Sequence, residues 1–299
     1  MMQKDSPWGS LAVCDAHVHF LSHRFFSWLA SQKPGLDLET LAAQIGLQLP
    51  PAEPEQLATL WTRDLDRHQV ARVALIASMP GDEESVLAAA QAHPERFFAY
   101  AMASPRAWPS TPPLVDAVCL FPAMHRYSIH DEFVVPVFEW AAQHQRAVFV
   151  HCGVLSVGIR DKFGLESRFD MRFSNPIDLH ALALQFSKVP IIVPHFGAGY
   201  FREALMLADL CPNVYLDTSS TNSWMRYQES HLDLRQVFRR TLDVIGPRRL
   251  LFGTDSSLFP WGWKHQVFDD QAKALYELGV SHADAKLIFG ENLLRIMAR

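Results

Sequence analysis

Residues 11–20 read LAVCDAHVHF, an apolar run whose last four residues include two histidines separated by one valine. Apolar and β-branched side chains over this length indicate a buried strand. Side chains alternate between the two faces of a strand, so His17 and His19 point the same way near its carboxyl end. Two imidazoles in this arrangement can bind one metal ion, or they can simply be solvated or hydrogen-bonded.

Seven later stretches repeat this pattern of a short apolar run. They are ARVALIAS (71–78), RFFAYAMA (96–103), VDAVCLF (115–121), RAVFVHC (146–152), VPIIVPHF (189–196), NVYLDTS (213–219) and RRLLFGTD (248–255). Amphipathic segments such as DEFVVPVFEWAAQHQ separate several of them, which predicts parallel strands covered by helices. Eight strands favour closure, and no G-x-G-x-x-G follows the first strand to indicate a dinucleotide site. We therefore predict an α/β fold, a distorted (β/α)8 TIM barrel, in a single domain over residues 1–299.

Two stretches interrupt the alternation of strands and helices. Residues 21–70 contain three helix-like segments separated by prolines and predict an insertion over the barrel mouth. Residues 104–115, after the third strand, contain four prolines, and proline costs about 3 kcal/mol inside a helix. We therefore expect the third covering helix to be missing or vestigial. Trp108 and Leu114 of this segment would cover the gap, or the insertion or a second subunit of a homodimer would do so.

The composition limits the classes of function. Of the 299 residues, 49% are hydrophobic, and the formal net charge of −5 lacks the cationic field that binding to nucleic acid or anionic membranes needs. No stretch approaches the roughly 18 apolar residues of a membrane helix, and the first residues show no secretory signal, so we expect a cytoplasmic protein. The four cysteines are far apart, which favours reduced thiols.

Three further polar residues end predicted strands on the same side as His17 and His19. His151 ends the fifth strand, His195 the sixth and Asp255 the eighth. The carboxyl ends of barrel strands meet at one mouth, where barrel enzymes have their active sites, so these side chains should converge. Histidines with a carboxylate suit one divalent ion, zinc being favoured, with a position left open for water.

The motifs DAHVHF, VFVHCG, VPHFGAG, NVYLDTSS, LLFGTD and IFGENLLRIM follow one another along nearly the whole chain. In this order they resemble the amidohydrolase superfamily, in particular its amidohydrolase-related branch, which includes metal-dependent hydrolases and the aminocarboxymuconate-semialdehyde decarboxylase type. The resemblance implies a distorted TIM barrel. It also implies that His17, His19, His151 and Asp255 bind the metal, while His195 orients the water or polarises the substrate.

The positions of the cysteines bear on how many metal ions the site would hold. Many two-metal relatives carry a lysine on the fourth strand whose carbamate bridges the ions, and Cys119 stands in its place. A bridging carbamate cannot form there, which favours a single metal. Cys119 would then be a buried apolar residue, although an inward thiolate could bind a second ion. Cys14 and Cys152 alternate with the ligands beside them and should face the covering helices.

Loop residues after the strands are candidates for substrate binding. Those that could reach the mouth are His125, Arg126, Arg160, Arg168, Arg172 and Trp261. Arginine binds carboxylates through paired hydrogen bonds, so a small carboxylate-bearing substrate would suit them, with ion pairs inside the loops as the alternative. Trp261 and Trp263 would line a pocket or pack against the barrel rim, and Asp217 would support the site.

Together these residues predict a metal-dependent hydrolase of a small ester, lactone or amide that uses a metal-activated water. Asp255 would accept the proton of that water and pass it to the leaving group, while His195 would stabilise the oxyanion. A nonoxidative decarboxylase of a small carboxylic acid would use the same site, with Asp255 or His195 delivering a proton to carbon. A ligand-binding barrel without turnover is a third alternative, and the full set of ligands plus His195 argues against it.

Overall fold

The computed structural model describes residues 1–219 and 224–298. Within them, eight parallel strands form one sheet in which each strand pairs with its neighbour in the sequence. The strands are β1 (Cys14–Phe20), β2 (Arg72–Ala77), β3 (Phe97–Met102), β4 (Ala117–Leu120), β5 (Ala147–Val150), β6 (Ile191–Val193), β7 (Val214–Asp217) and β8 (Leu250–Leu251). All eight predicted strands and the TIM-barrel architecture are confirmed. A small antiparallel hairpin, Lys4–Ser6 with Gly9–Leu11, precedes the barrel.

The barrel closes where the first strand meets the residues after the last one. The Ala16 amide donates to the Phe252 carbonyl (2.8 Å), the Asp255 amide to His17 (2.9 Å), and the His19 amide to the Ser256 carbonyl (2.7 Å). We call residues 15–19 and 252–256 the closing seam. Because both of its segments carry predicted metal ligands, closure of the barrel also brings those ligands together.

Side chains of the strands alternate between the barrel interior and the layer under the helices. Inner residues include Ile76, Tyr100 and Phe149, and their neighbours in each strand belong to the outer core. In β1 this alternation is broken, because the pairing with β2 shifts by one residue between Asp15 and Val18. Such a bulge re-aims the side chains beside it.

The bulge corrects one prediction about the cysteines. Cys14 lies in the inner cluster with Ala16, so the prediction that it faces the covering helices is wrong. The prediction assumed that side chains alternate regularly between the two faces of the strand from His17 and His19 back to Cys14. The bulge interrupts this alternation. Cys152 lies in the outer core, as predicted.

The α-helices surround the strands and extend over the mouth. They are α1 (His23–Ser31), α2 (Leu38–Ile45), α3 (Pro54–Arg67), α4 (Glu83–Ala92), α5 (Pro122–His125), α6 (Val135–His144), α7 (Gly158–Lys162), α8 (His180–Gln185), α9 (Phe201–Leu210), α10 (Leu234–Ile245), α11 (His265–Glu277), α12 (His282–Lys286) and α13 (Asn292–Met297). No helix in the described part of the chain is long and apolar enough to span a membrane. The last helix, α13, packs Leu293, Ile296 and Met297 into the inner cluster beside Cys14, at the start of the strands.

The insertion after β1 supplies α1, α2 and α3, as expected. Buried residues of its first part, among them Phe25, Phe26 and Leu29, pack against Ile159 and Phe163 from the connection after β5. We call residues 21–49 and 155–165 the mouth cover. Its hydrophobic core is separate from the two clusters of the barrel.

The covering helix after β3 is missing, as predicted. The segment contains only the single 3-10 turn Pro105–Ala107, since prolines prevent a longer helix. Trp108 is half-buried against Trp140, with ring centroids 5.9 Å apart, so it covers part of the gap. Leu114 is 58% exposed and does not act as a plug. A second subunit over this surface stays a prediction.

Candidate active site

Three ligand atoms of the closing seam lie close together at the mouth of the barrel. The Nε2 atoms of His17 and His19 are 3.4 Å apart. The Asp255 Oδ1 atom is 3.6 Å from the first of these nitrogens and 3.3 Å from the second. Ligands held at 2.0 to 2.1 Å by a tetrahedral zinc ion are about 3.3 Å from one another. The three atoms therefore fit one such ion, and among the described residues they form the one group of this kind.

The other ring nitrogen of each histidine has its own partner. His17 Nδ1 donates to Asp217 Oδ2 at 2.5 Å, and His19 Nδ1 lies 2.9 Å from Ser78 Oγ. Such contacts orient imidazoles so that Nε2 presents its lone pair to a metal. Burial alone would lower the pKa of His17, but the Asp217 carboxylate raises it overall. Burial lowers the pKa of His19, which keeps this imidazole neutral, as a ligand must be.

Asp217 reaches His17 because Gly253, two residues after β8, has no side chain to fill the space between them. A Cβ atom on Gly253 would lie 2.5 Å from Asp217 Oδ1 and 3.0 Å from His17 Cβ. The motif FGTD thus leaves room for the carboxylate under the site. Two residues later, Asp255 has a left-handed backbone (φ 56°), a strained conformation of the kind that clusters at functional sites.

A second buried carboxylate, Asp15, fixes the seam from below. It accepts hydrogen bonds from the His17 amide (2.9 Å), Thr254 Oγ1 (2.5 Å) and Trp263 Nε1 (2.8 Å). Burial raises the pKa of Asp15 to about 6, against the effect of these donors. Asp15 therefore ties the two seam segments together without facing the mouth. Trp263 is buried in the outer core against Phe252 and Phe268, so it packs against the barrel and does not line the cavity.

His195 sits on an unusual turn directly after β6. Its φ is 56°, and Phe196 and Ala198 are also left-handed, which turns the ring toward the mouth. Nδ1 donates to the carbonyl and Oγ of Ser219 (3.0 and 2.8 Å), while that Oγ donates to Asp217 (2.6 Å). This tautomer leaves Nε2 as an acceptor. Burial, followed by the proximity of His17, lowers the pKa of His195 to about 4.

His151 is buried beside these residues. Its ring stacks on Phe121 and meets the His195 ring edge-on, each with centroids 5.4 Å apart. Burial and the neighbouring His195 lower the pKa of His151 well below its usual value. Its Nδ1 has no hydrogen-bond partner among residues 1–219 and 224–298. The structure places His151 and His195 next to the three-atom group and not within it. Their roles as ligand and catalytic residue stay predictions.

A cavity of about 740 Å³ opens above the site. His19, His151, His195 and Asp255 lie at its base, and its walls include Phe25 and Trp28 of the mouth cover. The volume falls within the usual range for small-molecule pockets. The cavity and the polar side chains of the site therefore lie together at the carboxyl ends of the strands.

The predicted substrate-binding residues separate into two groups. His125, Arg126 and Arg160 line the cavity, as does Arg168. Arg172 is outside the lining and is paired with Asp170 at 2.6 Å. Trp261 is also outside it, 54% exposed, with Lys162 5.9 Å from its ring.

Some residues of the site were not identified in the sequence. Ser78, Ser219 and Gly253 act on the histidines through contacts across strands, and a hydroxyl or glycine at a strand end has no distinctive spacing. Asp15 had a signal, since it begins the DAHVHF motif. Asp217 was expected to support the site, and its bond to His17 confirms this. Cys119 is fully buried in the inner cluster, and burial raises the pKa of its thiol, which favours the apolar alternative.

The fold and the site define a class of protein: a TIM barrel with a histidine and carboxylate cluster that fits a divalent metal at its mouth. The chain belongs to the Amidohydrolase family, whose model matches residues 14–296. The expected family is therefore confirmed over almost the whole chain. Hydrolases and decarboxylases both occur among its structural neighbours.

Three solved structures illustrate the likeness. The 5-carboxyvanillate decarboxylase of Sphingomonas paucimobilis is 15% identical, with TM-score 0.61 over 97% of this chain and 99% of that one. A probable 2-pyrone-4,6-dicarboxylic acid hydrolase of Acinetobacter baumannii, with citric acid bound, is 14% identical, with TM-score 0.59 over 97% and 100%. An amidohydrolase of Burkholderia multivorans with bound zinc is 16% identical, with TM-score 0.59 over 96% and 99%. At these identities the likeness establishes the fold.

A curated relative is similar over a shorter length. Protein fluG of Emericella nidulans is 36% identical over 89 residues, which are 29% of this chain. The matched region covers 10% of that protein. The chain thus spans about a tenth of the length of the curated relative that it matches.

Proposed function

We propose that this protein is a metal-dependent hydrolase of a small ester, lactone or amide. The observation that carries the proposal is the triangle of His17 Nε2, His19 Nε2 and Asp255 Oδ1, with edges of 3.3 to 3.6 Å. The partners of both Nδ1 atoms support it, since they leave the Nε2 lone pairs facing one another. Nitrogen ligands with one carboxylate favour zinc.

The residues that would hold the ion are His17, His19 and Asp255, with His151 as a fourth. A divalent ion, when bound, polarises a carbonyl group and makes water a stronger acid. In the part of the chain that the structure describes, the buried Nδ1 of His151 has no hydrogen-bond partner, which supports His151 as the fourth ligand. Asp217 would keep the His17 ring in place through the hydrogen bond to its Nδ1.

Two groups are placed to handle protons during hydrolysis. The Asp255 carboxylate, 18% exposed at the base of the cavity, can take a proton and return it to the leaving group. His195 is neutral, with its Nδ1 proton held by Ser219 and its Nε2 available as an acceptor. This tautomer favours a proton-accepting role over the predicted oxyanion role, which needs a proton on Nε2.

The mouth cover would exclude water from the substrate. Phe25, Trp28 and Leu29 of α1 line the same cavity as His19 and Asp255, and these three side chains are apolar. Removing water strengthens electrostatic interactions within a site and limits side reactions. Apolar walls also suit the organic part of a small ester or lactone.

Nonoxidative decarboxylation is the second candidate, because a decarboxylase with this fold is among the similar structures. That reaction needs an acid that gives a proton to carbon. The Nδ1 proton of His195 is held by the Ser219 carbonyl and its Nε2 is an acceptor, and burial lowers the pKa of this imidazole to about 4, so His195 offers no proton to carbon at neutral pH. For this reason we favour hydrolysis.

The test combines metal analysis with two assays on one protein preparation. We expect about one equivalent of a divalent metal, loss of activity with a chelator, and recovery with zinc. Activity is measured on a panel of aryl esters, lactones and anilides, and CO₂ release on a panel of aromatic and aliphatic acids. CO₂ release without hydrolysis would replace our proposal by the decarboxylase, and the absence of metal, with no gain on adding it, would refute both.

A further inference from the structure

Gln271 is a buried polar residue on the outer helix α11. It is fully buried, whereas the other glutamines that the structure describes are partly or wholly exposed. A buried amide costs free energy unless its donor and acceptor atoms are hydrogen-bonded. Oε1 accepts from Thr218 Oγ1 (2.7 Å), and Nε2 donates to the carbonyls of Thr218 (2.8 Å) and Gly253 (3.4 Å). All of these partners lie just after β7 and β8, at the site end of the barrel.

The regular pairing of β7 with β8 ends at the level of Gln271. Its last bond runs from the Thr218 amide to the Leu251 carbonyl (2.9 Å). In a parallel ladder, the next bond would run from the Gly253 amide to the Thr218 carbonyl. Instead, the Gly253 amide donates to Thr218 Oγ1 (3.2 Å), and the Thr218 carbonyl accepts from Gln271. The side chains of Thr218 and Gln271 therefore connect the two segments where the backbone ladder stops.

Asp217 turns toward His17 at the point where this ladder stops. Its Oδ1 atom occupies the space that a Cβ atom on Gly253 would need, and its Oδ2 atom accepts from His17 Nδ1 at 2.5 Å. Gln271 bonds to the residue that follows Asp217 and to Gly253 itself. It therefore fixes the backbone that carries the carboxylate relative to the backbone that the carboxylate contacts. A shift of either segment would change the distance from Asp217 to His17.

We propose that Gln271 is a positioning residue of the metal site, an inference that rests on the metal dependence of the proposed function. Gln271 holds Asp217 at the distance at which its carboxylate orients His17, and by doing so it raises the affinity of the site for the ion. It lies outside the lining of the cavity, so its influence reaches the site only through Thr218 and Gly253. An outer helix thus contributes to metal binding without providing a ligand.

Zinc titration of the metal-free protein tests this independently of catalysis. Gln271→Met removes the amide and keeps the length of the side chain, and we expect zinc affinity to fall about three- to tenfold, below the 10- to 100-fold range for groups that bond directly to a metal ligand. Gln266→Met is the matched control, because Gln266 lies on the same helix and its amide donates to Asp270 at the surface (2.8 Å). It should bind zinc like the native protein.

Two further comparisons separate positioning from a general loss of structure. Thr218→Val removes the hydroxyl that Gln271 accepts from and should weaken zinc by a similar factor, while Thr218→Ser keeps the hydroxyl and should retain native affinity. This pair also carries the test if Gln271→Met does not fold. The double variant of Asp217→Asn with Gln271→Met should bind zinc as weakly as Asp217→Asn alone, because the carboxylate that Gln271 positions is gone. Additive losses would overturn the inference, as would native affinity in Gln271→Met.

A spectroscopic arm needs neither metal nor substrate. In metal-free protein with isotope-labelled histidine, the Nδ1 proton of His17 in its 2.5 Å bond to Asp217 should give a downfield resonance, which Asp217→Asn removes. We expect Gln271→Met to move this resonance upfield and Gln266→Met to leave it unchanged. An unchanged resonance in Gln271→Met would overturn the inference. Zinc binding by the native protein without hydrolysis of any ester, lactone or amide would refute the proposed function and leave this inference standing.

Discussion

The closing seam and the mouth cover both border the same cavity but are stabilised in different ways. In the seam, buried polar groups are densely hydrogen-bonded: Asp15 alone accepts from the backbone of both segments and from two side chains. The mouth cover has an apolar core and few polar links, such as the one between Gln32 and Arg160. Hydrogen bonds fix direction, whereas apolar packing tolerates substitution of similar volume. We infer that the seam determines the chemistry and the cover the choice of substrate.

Substitutions at the base of the cavity should have the largest effects. We expect His17→Ala and His151→Ala to lose both metal and turnover, and His195→Ala to keep most of the metal while kcat falls about 100- to 10,000-fold, the usual contribution of a general base. Metal content and turnover are measured together, with exposed His130→Ala as the control. Loss of metal from His195→Ala to the same degree as from His17→Ala would make His195 a ligand.

A smaller effect is expected for the residue that orients His17. Asp217→Asn removes the charged acceptor of the His17 Nδ1 proton and should weaken metal binding about 10- to 100-fold. Zinc titration of the metal-free protein measures this, with exposed Asp209→Asn as the matched control. Unchanged affinity would mean that the seam holds the ion without help from β7.

A still smaller effect is expected on the stability of the closing seam. Thr254→Val keeps the shape of the side chain but deprives buried Asp15 of its Oγ1 donor, which should cost about 1 to 3 kcal/mol of unfolding free energy. Thr62→Val is the control, because the half-buried Thr62 hydroxyl donates to the Ala58 carbonyl of its own helix and not to a buried carboxylate. Denaturant unfolding of both variants decides: equal losses would show that the seam is no more sensitive than a helix surface.

The smallest effect should come from the cover. Gln32→Ala removes the partner of Arg160 at the C-terminal end of α1, one residue after the helix. We expect KM to change a few-fold while kcat and metal content stay the same, because exposed links contribute about 0 to 1 kcal/mol. Exposed Gln91→Ala serves as the control. A tenfold loss of kcat or any loss of metal would contradict the inference that the cover affects only the choice of substrate.

The sequence predicted most of the fold because the relevant signals are local. Eight apolar runs became eight strands, and the four prolines in residues 104–115 prevented the third covering helix. The cluster of His17, His19 and Asp255 could be predicted because parallel strands bring their carboxyl ends together. These inferences need no knowledge of long-range packing.

What could not be predicted depends on contacts between distant segments. Because of the bulge in β1, the Cys14 side chain faces the barrel interior and not the covering helices, and no pattern in the sequence predicts this bulge. The path of a loop decides whether an arginine lines the cavity, as Arg126 does, or pairs beside it, as Arg172 does. Ser78 and Ser219 act on histidines from other strands, so only the assembled barrel shows their partners.

The closing seam also has a consequence for how the chain folds during synthesis. Asp15 and Thr254 are 239 positions apart, so the ribosome has made most of the protein before this contact can form. Until then the first strand has an unpaired edge, and the nascent chain carries His17 and His19 without Asp255. Contacts between such distant residues form slowly, and unpaired strand edges favour aggregation. Closure of the barrel is therefore a late step in folding, and a metal ion bound at that step would link β1 to the segment that follows β8.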